Sequence, residues 1–285
     1  MTWPFIELPR GIIYIRSVFA VFEPMDRPLY SQLVPYYELI ESRDWHNEIK
    51  LITSVLRDHK SESVVDLGCG TGYHVRTLTK LGFNVVGVDI SKQNIEFARK
   101  RSEKENIRTR FVIGSYYHFQ PDKRVDAALC LNWSIPVRDY EVKRFLDNAR
   151  DILRPRGLLI VDFERRSQIV WKDVGKPIVD SWNQKEQLLV RVSVGQIVSN
   201  VLCSKDVYII YHNFSKPNIP NETLRYKAAQ GRGLAQVYVD YSYVRFFSLA
   251  EMRTFASRSG FKVIANFLLP RNKYKRNYTV LEKIS

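Results

Sequence analysis

Along residues 35–60 the apolar side chains Leu39, Ile40, Ile49, Ile52, Val55 and Leu56 recur at helical spacing, which predicts helix as far as Lys60. The pattern then changes to short β-branched runs alternating with amphipathic stretches. Strands are predicted at Ser63–Leu67, Asn84–Ile90, Arg110–Ile113, Val125–Leu131 and Leu158–Phe163. Helices are predicted over 73–81, 92–104 (with Ser91 as N-cap) and 139–153, the last stopped by Arg154-Pro155-Arg156-Gly157. Apolar strands that alternate with amphipathic helices imply parallel βαβ units covered on both faces. From about 166 to 247 the period falls to two: Gln187–Ser199, Cys203–Phe214 and Leu234–Phe247 read as antiparallel strands, with turn-rich Lys216–Glu222 between two of them. The alternating theme then returns. Ser248 caps a helix to Ser259, Gly260 ends it, and strands follow at Phe261–Leu268 and, after a basic turn, Tyr278–Lys283.

The expected division is an N-terminal extension (1–34), a core of 35–165 and 246–285, and a β-rich insertion (166–245). With 285 residues and 45% hydrophobic content the chain can bury a sizeable core. Neither 13 Gly nor 12 Pro suggests a collagen-like or low-complexity chain. The apolar stretch Gly11–Phe22 is broken by Arg16 and is shorter than the roughly 20 residues of a spanning helix. Glu7 precedes the first Arg, unlike a signal peptide. No membrane span is expected. Three widely spaced cysteines (Cys69, Cys130, Cys203) make no CxxC pair, which fits a reducing cytoplasm. Five histidines form no metal-ligating spacing, so no protein-held metal is expected. The net charge is +14, densest over 246–285 with 8 cations against 2 acids. Such a field attracts nucleic acid, anionic membranes or acidic small molecules.

The chemistry-bearing feature is Asp66-Leu67-Gly68-Cys69-Gly70-Thr71-Gly72, placed between a strand and a helix. That position is the C-terminal edge of a parallel sheet, where open α/β folds bind ligands. Glycines there permit positive φ and close backbone approach. Asp89 ends the next strand, where a carboxylate can accept from both hydroxyls of a ribose. The spacing is G-x-G-x-G and no phosphate-loop Gly-Lys-Ser/Thr follows, which disfavours dinucleotides and triphosphates. An adenosine-containing cofactor is indicated.

VVDLGCGTGYH (64–74) closely resembles motif I of the class I S-adenosylmethionine-dependent methyltransferases. VVGVDIS (85–91), VDAALCLNWSI (125–135), LRPRGLLIVDFE (153–164) and RFFSLAEMRTFASRSGFKVIANF (245–267) extend the resemblance to most of 35–165 and 245–285. The β-rich insertion before the late helix is similar to the small-molecule, glycine N-methyltransferase-like branch. The resemblance implies a Rossmann-like, seven-stranded, mostly parallel α/β sheet with helices on both faces, plus the antiparallel insertion. It also implies S-adenosylmethionine as cofactor and S-adenosylhomocysteine as product. By the same carry-over, Gly68, Cys69, Gly70 and Gly72 shape the loop for the methionine part and ribose, and Asp66 braces it near the cofactor's amino group. Asp89 binds the ribose hydroxyls and Ile90 lies against adenine. At the third-strand end, where the family usually has an acid, this chain has Gly114-Ser115-Tyr116; Ser115 can still accept from the adenine amino group, without the charge. Leu131, Asn132 and Trp133 face the sulfonium, and Tyr37, with Tyr36 as its rival, closes over the methionine end.

Methyl transfer from a sulfonium is an in-line displacement that needs alignment more than a shared catalytic residue, so the motifs leave the acceptor open. Asn132-Trp133-Ser134-Ile135 stands where base-amine methyltransferases have Asn/Asp-Pro-Pro-aromatic. The insertion should fold over the strand ends as a lid. Its tyrosines Tyr208, Tyr211, Tyr238, Tyr241 and Tyr243 are candidates for an acceptor pocket, His212 for a base and Arg245 for an anion contact. Three readings follow: a small-molecule N- or O-methyltransferase, an RNA methyltransferase suggested by the basic charge and the turn 271–276, and a cofactor-binding protein without catalysis.

Overall fold

Val64 and Val65 point to opposite faces of one strand, and each is buried in a different apolar cluster. That two-sided burial is what a parallel sheet between two helical layers requires. The structure, a computed structural model, describes residues 27–41, 45–132, 134–169, 171–184, 186–212, 235–271 and 274–284. The described elements are α1 (Val34–Glu41), α2 (Trp45–Asp58), β1 (Ser63–Leu67), α3 (Tyr73–Lys80), β2 (Asn84–Asp89), α4 (Lys92–Lys104), β3 (Arg110–Ile113), β4 (Val125–Cys130), α5 (Asp139–Ile152) and β5 (Leu153–Phe163). There follow β6 (Ile178–Gln184), β7 (Gln187–Val198), β8 (Val201–Tyr211), β9 (Ala235–Arg245), α6 (Leu249–Arg258), β10 (Phe261–Arg271) and β11 (Tyr274–Lys283).

Seven strands form one sheet in the order β10-β11-β5-β4-β1-β2-β3. β3, β2, β1, β4 and β5 pair in parallel, while β11 runs antiparallel to both β5 and β10. The α/β, seven-stranded, Rossmann-like architecture expected from the sequence is therefore present. Strand order reverses between β1 and β4, so their C-terminal ends open the crevice where such sheets bind ligands. Side chains of α2, α3 and α4 cover one face and those of α5 and α6 the other. β4, buried at all six positions, is the centre of the core.

The insertion is a separate four-stranded antiparallel sheet, β6-β7-β8-β9. Its Leu189, Tyr208 and Ile210 pack on Leu29, Leu33 and Ile40 of the segment through α1. The first helical segment thus has its own partner, and the helix expected over 35–60 is two helices, α1 and α2. β6 was not foreseen. Asp180, Ser181, Asn183 and Gln184 make it polar, and as an edge strand it is largely exposed. β5 begins at Leu153, not Leu158: a register shift against β4 absorbs Arg154–Gly157, with Arg156 at φ 60°. β10 and β11 likewise reach farther than predicted, pairing as far as Arg271 and Tyr274. The apolar stretch 11–22, the turn 216–222 and Trp133 lie outside the described residues. No described helix is long and apolar enough to cross a membrane.

Candidate active site

The loop after β1 turns through three left-handed glycines, Gly68 (φ 82°), Gly70 (φ 52°) and Gly72 (φ 75°). At Gly72 the demand is strict, because an added Cβ would stand 2.6 Å from a Phe111 ring atom. The loop is fastened to the end of β2. Gly68 and Cys69 N–H donate to the Val88 carbonyl at 2.8 and 3.0 Å, and Gly70 N–H donates to Asp89 Oδ2 at 2.8 Å. The other Asp89 oxygen accepts from Ser91 N–H at 2.8 Å and from the Asn94 amide at 3.4 Å. Burial lifts the Asp89 carboxyl above its ordinary value, against the pull of these donors. The carboxylate of Asp89 therefore joins the glycine loop to the helix cap at the mouth of the crevice.

Asp66 lies behind the loop, 2% exposed, and its Oδ2 has no hydrogen-bond partner. Burial raises its carboxyl to about 6, with His74 opposing the rise and Asp89 and Glu48 adding to it. Asp66 lines a small pocket together with Tyr37, Gly68, Gly70, Leu131 and Asn132. His74 lines the same pocket, and Glu48 stands behind it, His74 Nε2 3.1 Å from Glu48 Oε1. Burial works against both charges, but each holds the other ionised: His74 is raised and Glu48 lowered.

Asn132 sits at the end of β4 with φ 57°, a left-handed conformation that asparagine tolerates better than most residues. Its side-chain oxygen accepts from the Arg276 guanidinium at 2.8 Å. Arg276 is fully buried, 2.7 Å from Asp162 and 3.5 Å from Glu164. The sequence reading placed Arg276 in an exposed basic turn. The hairpin is instead paired beyond this residue, and two acids on and just past β5 draw the cation inside.

Tyr37, not Tyr36, faces the glycine loop: its ring would lie 3.8 Å from a Cβ at Gly70, whereas the Tyr36 hydroxyl donates to Gln187 of the insertion at 3.0 Å. Tyr37 and Asn132 also border a second, larger cavity of about 290 Å³ between α1 and the antiparallel sheet. Of the insertion candidates, Tyr208 and Tyr243 line it; Tyr211, Tyr238, Tyr241 and His212 do not. His212 lies 3.0 Å from the Gln187 amide, and Tyr241 is on the outward face. Arg245 is not free for an anion. It pairs with Asp139 and Glu251, donates to the Val137 carbonyl at 3.0 Å and stacks over Phe247. At the β3 end Ser115 Oγ accepts from Tyr117 N–H at 3.3 Å, and Tyr116 packs edge-on against Phe145. Ile90 is exposed beside Asp89, where a flat ring could lie against it. Glu48 and Asn94 carry no motif of their own in the sequence, and the place of Arg276 beside Asn132 comes from a contact 144 residues apart.

A doubly covered parallel sheet with a glycine loop at its switch point, an acid at the next strand end and an unpartnered buried acid behind the loop makes a Rossmann-like fold with a ligand crevice at that loop. Residues 64–157 match the family model described as "Methyltransferase domain". A ubiquinone biosynthesis O-methyltransferase from Rickettsia bellii is 28% identical over 120 residues, 42% of this chain and 49% of the relative. A Bradyrhizobium protein of the same description is 33% identical over 116 residues, 41% of this chain and 44% of the relative. The chain thus spans about half the length of the curated relatives it matches. Among solved structures, an S-adenosylmethionine-dependent methyltransferase from Clostridium acetobutylicum superposes with TM-score 0.70 at 12% identity, covering 90% of this chain and all of the other. The sugar N-methyltransferase KedS8 from Streptoalloteichus gives 0.69 at 16% identity, covering 98% of this chain and all of the other. At such identities the likeness is one of fold.

Proposed function

We propose that this protein transfers a methyl group from S-adenosylmethionine to nitrogen or oxygen of a small molecule and releases S-adenosylhomocysteine. The observation that carries the reading is the junction at Tyr37 and Asn132, where the glycine-loop pocket meets a cavity of about 290 Å³ large enough for a compact acceptor. The residues present fit the cofactor. Asp66 offers a buried oxygen without a partner to an ammonium group, and the positive-φ glycines let the backbone approach. When bound, the cofactor supplies an already activated methyl group. The chain's part is then positional: Asp89 would hold the ribose hydroxyls, Ile90 and Ser115 would flank adenine, and Tyr37 would shield the methionine end from water. Asn132, held by Arg276, would form the wall between donor and acceptor.

An RNA acceptor is less well supported: Arg276 is buried instead of exposed, and carboxylates outnumber cations around the cavity. Calorimetric titration with S-adenosylhomocysteine tests the donor half. Asp89→Ala should weaken binding roughly tenfold or more, since it removes charge-assisted hydrogen bonds. No binding by the wild-type protein at saturating concentration would end this reading. Incorporation of labelled methyl into a metabolite pool but not into total RNA tests the acceptor half.

A further inference from the structure

The small pocket at the glycine loop holds donors without protein partners as well as the unpartnered acid Asp66. Trp45, the first residue of α2, is 6% exposed and lines this pocket, and its indole Nε1 is buried with no hydrogen-bond partner. An unmade bond to a buried N–H costs about 1–3 kcal/mol, so native structures keep few such groups unless something outside the chain meets them. His74, the second residue of α3, lines the same pocket and is 5% exposed. Its Nε2 meets Glu48, and its Nδ1 meets no partner among the described residues. The two side chains are neighbours: the Trp45 ring lies 6.2 Å from the His74 ring and 3.9 Å from that of Tyr73, between centroids.

Charge points the same way. Among the described residues, no lysine or arginine lines this pocket. Arg76 is spent on the Thr71 carbonyl and on Glu38, at 2.6 and 2.7 Å, and Arg276 stands behind Asn132 against Asp162. His74 is thus the cation that faces the pocket. Glu48 keeps its imidazole charged, which makes both ring nitrogens donors. The start of α3 adds positive potential at the same place. One acid with a free oxygen on one wall, and two N–H donors on another, match the two charged ends of an amino acid.

Resting on the methyltransferase reading above, we propose that Trp45 and His74 hold the α-carboxylate of the cofactor's methionine part, with Glu48 as the positioning residue that orients His74. Trp45 Nε1–H and His74 Nδ1–H each donate a charge-assisted bond to that carboxylate, while Asp66 accepts from the ammonium group. The pair makes the pocket selective for the complete amino-acid end of the cofactor over its nucleoside alone. It also anchors the chain that carries the sulfur, which fixes where the methyl group stands relative to Asn132.

The test is calorimetric titration of the full chain with S-adenosylhomocysteine, with its decarboxylated form S-adenosyl-3-thiopropylamine, and with 5′-methylthioadenosine, which lacks the whole amino-acid end. Wild-type protein should bind S-adenosylhomocysteine roughly tenfold or more tighter than the decarboxylated ligand. Trp45→Phe keeps a ring and removes the N–H; His74→Gln keeps a donor toward Glu48 and removes Nδ1. Each should shrink that ratio by about threefold or more and leave 5′-methylthioadenosine within about twofold of wild type. Glu48→Gln should shrink the ratio too, whereas Asp66→Asn should weaken both amine-bearing ligands alike and preserve it. Equal affinity of the wild-type protein for the carboxylated and decarboxylated ligands, or a ratio unchanged in both Trp45→Phe and His74→Gln, overturns the proposal. 5′-Methylthioadenosine and S-adenosylhomocysteine separate the two levels: if both bind and the ratio is near one, only the carboxylate assignment fails, whereas if neither binds the methyltransferase reading falls as well.

Discussion

Asp66 has a carboxyl held at about 6 in the folded protein, above the ordinary 3.8, chiefly by burial. The folded state therefore keeps the proton more tightly than the unfolded chain across that interval. Its contribution to stability is complete below 3.8 and is lost as pH rises through about 6. Cofactor binding should run the opposite way. An ammonium group facing Asp66 needs the ionised carboxylate, so S-adenosylhomocysteine affinity is expected to fall as pH drops through about 6. Titrations at about pH 8 and about pH 5 should differ roughly tenfold, the scale of one charge-assisted contact. Asp66→Asn should bind weakly at both and show no such slope. A wild-type affinity that stays flat across the range would show that Asp66 does not meet the ammonium.

At the scale of elements, close approach of β2, β3 and α3 sets the loop. Gly87 on β2 has ordinary φ, yet an added Cβ would stand 2.8 Å from Cys69 Sγ, from a Phe111 ring carbon and from a Val75 methyl. Gly87→Ala is expected to lower stability by roughly 1–3 kcal/mol, a typical cost of overpacking, seen as a lower urea midpoint with unchanged slope. The glycine loop and Asp89 were legible because one short segment and one strand end carry them, with turn chemistry that only glycine suits. Glu48, Arg276 and the acids of the cavity were not, because their meaning comes from partners more than a hundred residues away or from another layer. β6 was hidden for a related reason: an edge strand in water needs no apolar alternation. Arg276 shows what that long-range information is worth. Arg276→Met leaves Asp162 buried without its cation, which costs about 3–5 kcal/mol. Adding Asp162→Leu to the same chain should recover much of the loss in urea unfolding. No recovery would mean the pair is held by contacts other than charge.

Across the whole molecule, the proposed donor and acceptor sites belong to two sheets that share no strand, so their alignment depends on what ties the sheets together. One tie is the segment through α1, whose Leu29, Leu33 and Ile40 pack on β7 and β8 while its Tyr37 faces the glycine loop. A second is Arg245, buried against Phe247 and paired with Asp139 and Glu251 of the core. A third is Arg27 on Asp240 of β9, an acid 1% exposed. Removing that guanidinium should loosen the antiparallel sheet while leaving the loop after β1 intact, because no bond joins Arg27 to Asp89 or the glycines. Arg27→Met is thus expected to cost about 2 kcal/mol, less than a fully buried pair because Arg27 is 20% exposed. Amide exchange should speed up along β8 and β9 more than along β1, β2 and β4. S-adenosylhomocysteine affinity should stay within about twofold of wild type, while acceptor affinity drops because the cavity wall has lost its brace. Equal loss of donor and acceptor binding would instead mean that the two sheets behave as one cooperative unit and that the acceptor side cannot be perturbed alone.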